Sequence, residues 1–176
     1  MKFSAGEMLY QWRLRRALLP MREDCTVTRY DGIDLDSLLR LQMRDWYLNL
    51  LDTASLEMLI LTDISADIAV VRRDDGLATV TLPGNCRRLV EFRLEEWERP
   101  AEIVADPHSP VAVMQTNPYS RGGACRPVAV CHNNTLYLYS VTSAVPKIAK
   151  ALAVMLPEDG TFEMDERALS LIPTVD

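Results

Sequence analysis

The sequence predicts an α+β fold in which N-terminal helices pack on an antiparallel β-sheet or a small β-sandwich with long loops. Apolar residues recur at helical spacing up to about residue 60, and from about residue 67 they alternate with polar residues at a period of two. Gly, Pro and Asn residues separate the alternating runs, as is typical of short antiparallel strands. We expect one domain over residues 1–176, with a helical part at about 4–60, a β-rich part at about 67–142, and a C-terminal segment, 143–176, whose structure the pattern leaves open.

The first predicted helix covers residues 5–19 and closes at Pro20, because proline cannot continue a helix. Its apolar side chains fall on one face: Ala5, Met8, Leu9, Trp12 and Leu19. Arg13, Arg15 and Arg16 lie largely off that face. A basic cluster beside aromatic residues is compatible with an anionic partner, but a solvated helix surface explains it more simply.

The second predicted helix covers about 37–53, with Asp34 or Asp36 as its N-cap. Six residues follow the helical repeat along its main apolar face: Leu39, Met43, Trp46, Tyr47, Leu50 and Ala54. Four leucines widen that face: Leu38, Leu41, Leu48 and Leu51. An apolar surface this wide indicates burial on more than one side, either by the chain's own sheet or by a neighbouring subunit.

The β-rich part contains six runs, each of which we expect to form a strand: 67–72, 77–82, 88–94, 111–115, 127–132 and 135–139. Asn133-Asn134 predicts a tight hairpin between the last two, because asparagine tolerates positive φ. Residues 78–100 are expected to form another hairpin, hinged at Pro83-Gly84-Asn85.

The strand at 88–94 combines an apolar face with a charged one. Val90, Phe92 and Leu94 are expected to anchor the sheet to the helices. The charged side chains of the opposite face point to water or to a neighbour: Glu91, Arg93 and Glu95. Trp97 follows and closes the strand.

The C-terminal segment gives weaker signals. Residues 145–156 mix helix-forming and β-branched residues, so helix and strand both stay open there. Residues 164–172 are typical of the first turns of a helix capped at Asp165, which Pro173 would end.

Composition and charge limit the classes of protein to which the chain can belong. Hydrophobic residues make up 48% and charged residues 25%, as in ordinary globular domains, and the net charge of −6 argues against a protein that wraps DNA. Residues 1–30 carry six basic and three acidic side chains, whereas residues 151–176 carry one basic and six acidic. This asymmetry favours head-to-tail or side-by-side association, unless the two ends are simply unrelated solvated surfaces.

Nothing in the sequence predicts export or a membrane span. The first residues contain no apolar h-region, and no apolar run is as long as a transmembrane helix. We therefore expect a soluble intracellular protein whose four cysteines are reduced.

No local arrangement of side chains defines an active site. His108 and His132 are the only histidines and lie in no metal-binding motif, and Cys131 points away from His132 because neighbours in a strand face opposite sides. Three glutamates flank Trp97: Glu95, Glu96 and Glu98. Adjacent carboxylates diverge, so they do not make the paired acids of a glycosidase. We expect no enzymatic role, no cofactor, no metal and no specific nucleic-acid site.

From residue 35 onwards the predicted elements and several short motifs follow a recognisable order. In sequence, the motifs are Leu82-Pro83, Arg88-Leu89, Leu94, Trp97, Asn117-Pro118, Arg121, Arg126-Pro127 and residues 136–140. Over about residues 35–140, this order resembles that of the head-to-tail connector proteins of tailed bacteriophages, of the adaptor or tail tubular type.

The resemblance implies a non-enzymatic structural subunit that joins the portal to the tail of a phage or prophage, as part of a homo-oligomeric ring. Its helices would pack between neighbours and against the portal, and its long loops would face the next tail component. A ring with an acidic average surface would let DNA slide through it. The protein would then be found in the cytoplasm of the host cell or in the virion.

Nine residues are candidates for contacts with other subunits or partners: Trp12, Arg13, Arg16, Leu39, Met43, Trp46, Trp97, Tyr119 and Arg121. The main alternative to a connector is a protein- or peptide-binding α+β module, from a mobile element or a host, without a catalytic role. An enzyme with a dispersed site and a nucleic-acid binder are further alternatives.

Overall fold

A computed structural model of the chain describes residues 1–16, 34–73, 77–158 and 160–174. It contains helices and mostly antiparallel sheets, so the α+β class is confirmed. The chain divides into two compact units. Residues 61–155 form the central unit, and residues 1–60 and 156–176 together form the terminal unit.

The α-helices are α1 (Ala5–Arg15), α2 (Leu35–Thr53) and α3 (Pro110–Gln115), and two 3₁₀ helices cover Leu56–Met58 and Glu166–Leu171. The strands are β1 (Lys2–Ser4), β2 (Leu61–Asp63), β3 (Val70–Arg72), β4 (Ala78–Thr81), β5 (Cys86–Leu94), β6 (Glu102–Val104), β7 (Val128–His132), β8 (Thr135–Leu138), β9 (Ile148–Met155) and β10 (Thr161–Glu163).

The two long helices of the terminal unit begin at well-formed N-caps. Ser4 and Glu7 make a capping box at the start of α1, in which each side chain accepts a hydrogen bond from the other residue's backbone amide. Asp34 caps α2 by accepting from the amides of Asp36 and Ser37, so the cap predicted at this point is confirmed. The first helix ends at Arg15, and the predicted stop at Pro20 lies outside the described residues.

Aromatic side chains pack the interior of the terminal unit. The rings of Trp12 and Trp46 meet edge to face, with centroids 5.4 Å apart. Tyr47 packs edge-on against Phe162, at 4.9 Å, and its hydroxyl donates to the carbonyl of Glu163 at 3.1 Å. These contacts join α2 to β10, which pairs antiparallel with β1.

The central unit contains two sheets. One has the strand order β2-β9-β5 and is antiparallel, and the other has the order β3-β4-β8-β7-β6, in which β6 and β7 are parallel. Side chains from both sheets form one buried cluster, including Ala78, Val80, Phe92, Leu94, Ala129, Leu136, Leu138, Ala151 and Ala153. The two sheets therefore enclose a shared core, as in a small β-sandwich.

The two predicted hairpins have different outcomes. Asn133 and Asn134 both have positive φ, of 48° and 58°, and join β7 to β8, which confirms the hairpin predicted at Asn133-Asn134. The hairpin predicted over 78–100 is wrong, because β4 pairs with β3 and β8 whereas β5 pairs with β9. The turn at 83–85 is instead a crossover between sheets, and the Asn134 side-chain amide donates to the carbonyl of Leu82 at 2.8 Å.

Strand β5 departs from simple alternation. Phe92 and Leu94 are fully buried as expected, but the core around them is made by the other strands of the central unit. The register shifts between Leu89 and Glu91, so Leu89 packs against that core and Val90 does not. A bulge of this kind reverses the faces on either side of it, which explains why the prediction for Val90 is wrong.

Three other segments differ from or complete the sequence prediction. The strand expected at 111–115 is wrong, because α3 begins there with Ser109 as N-cap and Pro110 in the first turn. The undecided residues 145–156 supply β9. Asp165 caps a helix as predicted, and that helix is of the 3₁₀ type.

The carboxylate of Glu96 ties the end of β5 to the segment that leads into β9. It accepts hydrogen bonds from the backbone amides of Thr142 and Ser143, at 3.2 and 2.7 Å, and from the Thr142 hydroxyl. We expect Glu96→Ala to lower the free energy of unfolding by about 1–3 kcal/mol, because two backbone donors lose a charged acceptor. Chemical unfolding followed by circular dichroism measures this change.

Glu95→Ala is the matched control for Glu96→Ala. Glu95 is exposed, and within the described ranges its side chain makes no hydrogen bond or ion pair. Its removal should therefore leave the free energy of unfolding almost unchanged. An equal loss of stability in both variants would show that the hydrogen bonds accepted by Glu96 do not stabilise the central unit.

Candidate functional site

The connection between β6 and β7 is the longest irregular segment described in the central unit. It covers residues 105–127, includes α3, and is called the loop lobe below. Ser109 accepts a hydrogen bond from the amide of Ala112 at 3.3 Å, and Pro110 suits the first helical turn because that position needs no N–H donor. These local signals explain why the segment coils into a short helix despite its alternating valines.

The loop lobe is held in shape by its own hydrogen bonds. The Ser120 hydroxyl donates to the carbonyl of Asn117 at 3.2 Å, and Arg121 Nε donates to the carbonyl of Gln115 at 2.8 Å. The Arg121 guanidinium also lies over the ring of Tyr139, which directly follows β8, 5.8 Å from its centroid. The lobe is therefore fixed to the sandwich by Arg121, one of the predicted contact residues.

Large apolar side chains of the loop lobe are exposed to solvent. Tyr119 is 98% exposed, Met114 is 55% exposed and Val113 is 52% exposed. We call these three side chains the crest. Large apolar side chains that an ordered loop holds in water are typical of a surface that contacts another protein.

A cleft of about 610 Å³ lies at the base of the loop lobe. Its apolar walls come from both the lobe and the strand ends: Pro100, Ala101, Val111, Met114, Pro127 and Val128. Arg99, Glu102 and Arg126 supply charge around it, and all three are exposed. Gln115 also lines the cleft and is 4% exposed, which makes it the buried polar residue of the described part.

The structure uses four of the nine predicted contact residues in the chain's own interior. Trp12, Leu39 and Met43 are buried in the terminal unit, and Trp97 is buried in the central core. The indole N–H of Trp97 donates to the carbonyl of Ser140 at 3.3 Å. Their side chains are therefore committed to packing within the folded chain.

The other five predicted contact residues keep some exposed surface. Arg13 forms an ion pair with Asp36, which joins α1 to α2. The Arg16 guanidinium donates a hydrogen bond to the Gln42 side chain at 2.6 Å and lies over the ring of Trp12. Trp46 is half-buried, and its indole N–H donates a hydrogen bond to the carbonyl of Leu171. Tyr119 and Arg121 both belong to the loop lobe, where Tyr119 is exposed and Arg121 is half-buried.

Glu98, one of the three glutamates beside Trp97, has a structural partner. Glu98 accepts a hydrogen bond from the thiol of Cys125 at 3.2 Å, and this bond, with the negative charge of Glu98, raises the pKa of Cys125. Burial raises the pKa of Cys131, while His132 points to solvent. A thiol with a raised pKa is a poor nucleophile near neutral pH.

Among the described residues, no group of three or more histidine, cysteine or acidic side chains is placed to hold a metal ion. No described helix combines the length and the apolar character needed to cross a bilayer.

Sequence reasoning missed most of the crest and the cleft. Val113, Met114 and Gln115 fall in the strand expected at 111–115, Arg126 is named only in the motif order, and Arg99 is not among the nine contact candidates. The available signal was Ser109-Pro110, an N-cap followed by a first-turn proline, which predicts a helix start.

Comparison with protein-family models and with curated proteins gave no match for this chain.

Proposed function

We propose that the chain is a non-enzymatic assembly protein, a head-to-tail connector subunit of a phage or prophage that joins the portal to the tail. The observation that carries the proposal is the exposed crest on an internally bonded loop lobe. The lobe contains Asn117-Pro118 and Arg121, which belong to the motif order that resembles the connector proteins. In such a subunit this loop faces the next tail component.

The crest has the chemistry of a protein contact. Tyr119 combines a large apolar ring with a hydroxyl, and Met114 is flexible enough to adapt to an uneven partner surface. Burying an apolar side chain of this size contributes on the order of 1.5–3 kcal/mol. Two or three such side chains at the centre of an interface supply much of the affinity of a typical complex.

Exposed apolar side chains on the helices support a second contact surface. Tyr10 and Leu14 are exposed one helical turn apart on α1, and Leu41 is exposed on α2. In a ring of identical subunits these side chains would pack against the neighbour, as expected for the helices of a connector. The net charge of −6 fits a ring through which DNA slides without sticking.

The test is the mass of the chain alone and after mixing with the portal protein encoded in the same genome. We expect the chain to associate with the portal protein. We also expect a further tail component to bind the chain through the crest. Substituting Met114→Ser and Tyr119→Ser together should weaken that second association at least tenfold, because the exposed apolar anchors are lost.

Val145→Ser is the matched control, since Val145 is 74% exposed in the central unit outside the loop lobe. It should leave both associations unchanged. Absence of any association with portal or tail proteins, in every condition tried, would contradict the connector proposal.

The cleft supports one other candidate function. A protein- or peptide-binding module without a catalytic role would use the cleft and the crest as its binding site. In that case the isolated chain would bind peptides but would not assemble with a portal.

A further inference from the structure

We infer that the cleft at the base of the loop lobe binds an extended, acidic segment of a partner protein. The inference names the partner chemistry for the surface described above, and so it rests on the proposed function as an assembly protein. Three properties of the cleft carry it: unpaired positive charge, apolar walls, and a buried acceptor without a donor.

The positive charge belongs to Arg99 and Arg126. Both line the cleft and are exposed, and within the described part of the chain neither guanidinium has an ion-pair partner. Glu102 lies on the same cleft, so the lining side chains carry a net positive charge. Two arginines within one cleft favour a carboxylate, which a guanidinium can bind through two parallel hydrogen bonds.

The walls of the cleft suit apolar side chains rather than a free anion. Pro100 and Ala101, from the segment before β6, line it together with Val111 and Met114 of α3. A volume of about 610 Å³ accommodates several side chains, and pockets of roughly 300–1,000 Å³ are typical of specific ligand sites. The occupant must therefore combine acidic with apolar groups, as a peptide segment does.

The buried acceptor is the side-chain oxygen of Gln115. The amide nitrogen of Gln115 donates to the carbonyl of Val111 at 3.2 Å, which fixes the orientation of the side chain. Its Oε1 is buried and accepts no hydrogen bond from any described residue. An unsatisfied buried acceptor is unfavourable, and a backbone N–H that a ligand in the cleft donates to Oε1 would satisfy it.

The position of β6 explains why the segment should be extended. Glu102 of β6 lines the cleft, and β6 is the last strand of the five-stranded sheet. An edge strand offers backbone groups to a chain that runs alongside it, and side chains of such a chain alternate between pockets and solvent.

The test uses a displayed library of random ten-residue peptides selected on the purified, full-length chain. We expect selected peptides to carry Asp or Glu beside apolar residues. Their affinity for the variant with both Arg99→Glu and Arg126→Glu should fall at least tenfold, and higher salt should weaken their binding to the unaltered chain. Gln115→Leu should also weaken binding while leaving the thermal stability of the chain unchanged or higher.

The matched control carries Arg93→Glu and Lys147→Glu, two charge reversals on exposed residues of the central unit outside the cleft. It should bind the selected peptides normally. The inference is overturned if no peptide is selected, if selected peptides lack acidic residues, or if both double variants lose affinity equally. It is also overturned if a single-stranded oligonucleotide displaces the peptides, because the cleft would then bind phosphate chains.

The outcome separates this inference from the connector proposal. Peptide selection reports on the cleft alone, whereas association with the portal reports on assembly. Association with the portal without binding of acidic peptides would contradict the inference and leave the connector proposal standing. The reverse result would keep the inference and favour a peptide-binding module.

Discussion

Phe92→Ala is expected to lower the free energy of unfolding by about 3–5 kcal/mol, the range typical of a deleted core phenylalanine. Phe92 is fully buried between the two sheets, and its ring meets that of Trp97 with centroids 6.0 Å apart. Removing the ring leaves a cavity and takes away this aromatic contact. Chemical unfolding monitored by tryptophan fluorescence measures the loss, which is large against a total stability of about 5–15 kcal/mol.

The neighbouring residue supplies the control. Arg93 is exposed on the opposite face of β5, so Arg93→Glu should change stability by no more than about 0.5 kcal/mol. Phe92→Asp, in contrast, should prevent folding, because it buries a charge without a partner. If Arg93→Glu disrupted folding as badly as Phe92→Asp, the assignment of faces along this strand would be wrong.

Gly122→Ala is expected to distort the loop lobe and to destabilise the chain by about 1–3 kcal/mol, the usual range for overpacking. A Cβ at this position would lie 2.0 Å from the carbonyl oxygen of Arg126. That oxygen belongs to the backbone, so the turn closed by the hydrogen bond from the Arg126 amide to the Gly122 carbonyl must open. Because Arg126 lines the cleft, ligand binding there should fall together with stability.

Gly84→Ala is the matched control for this change. A Cβ at Gly84 would meet nothing within 4 Å. The variant should therefore keep the stability and the binding of the unaltered chain. Hydrogen exchange of the lobe amides distinguishes the two: a Gly122→Ala chain with unchanged protection throughout 105–127 would refute the close-packing argument.

Local signals predicted the parts of the fold that local chemistry determines. Asn133-Asn134 gave the correct hairpin, because few residues other than asparagine and glycine adopt positive φ at both turn positions. Asp34 and Asp165 gave the correct helix starts, because their carboxylates accept from amides two or three residues further on. These features depend on a few adjacent residues, and so the sequence displays them directly.

The sequence did not predict which strands belong to the same sheet. β4 and β5 are separated by a short turn, yet they belong to different sheets because β8 and β9 supply their partners from much later in the chain. The bulge near Val90 likewise depends on the register with β9. Pairing between distant strands is decided by tertiary packing, which periodicity along one run does not encode.

The candidate site illustrates a competition between two local signals. Val111 and Val113 alternate as in a strand, whereas Ser109-Pro110 marks a helix start. The helix forms, and it turns Val113 and Met114 outward onto the crest. Tyr119 and Arg121 are predicted contact residues, but the cleft is lined by residues from three separate segments, within 99–102, 111–115 and 120–128, and no single motif contains it.

The pairing of β1 with β10 has a consequence for how the protein is made. Lys2 pairs with Glu163, so β1 is synthesised about 160 residues before the strand with which it pairs. At roughly 5–20 residues per second this delay is on the order of 10–30 s. The central unit is continuous in sequence and completes its sheets before β10 is synthesised. Vectorial synthesis therefore sets an order in which all strands of the sandwich are available before β10 can pair with β1.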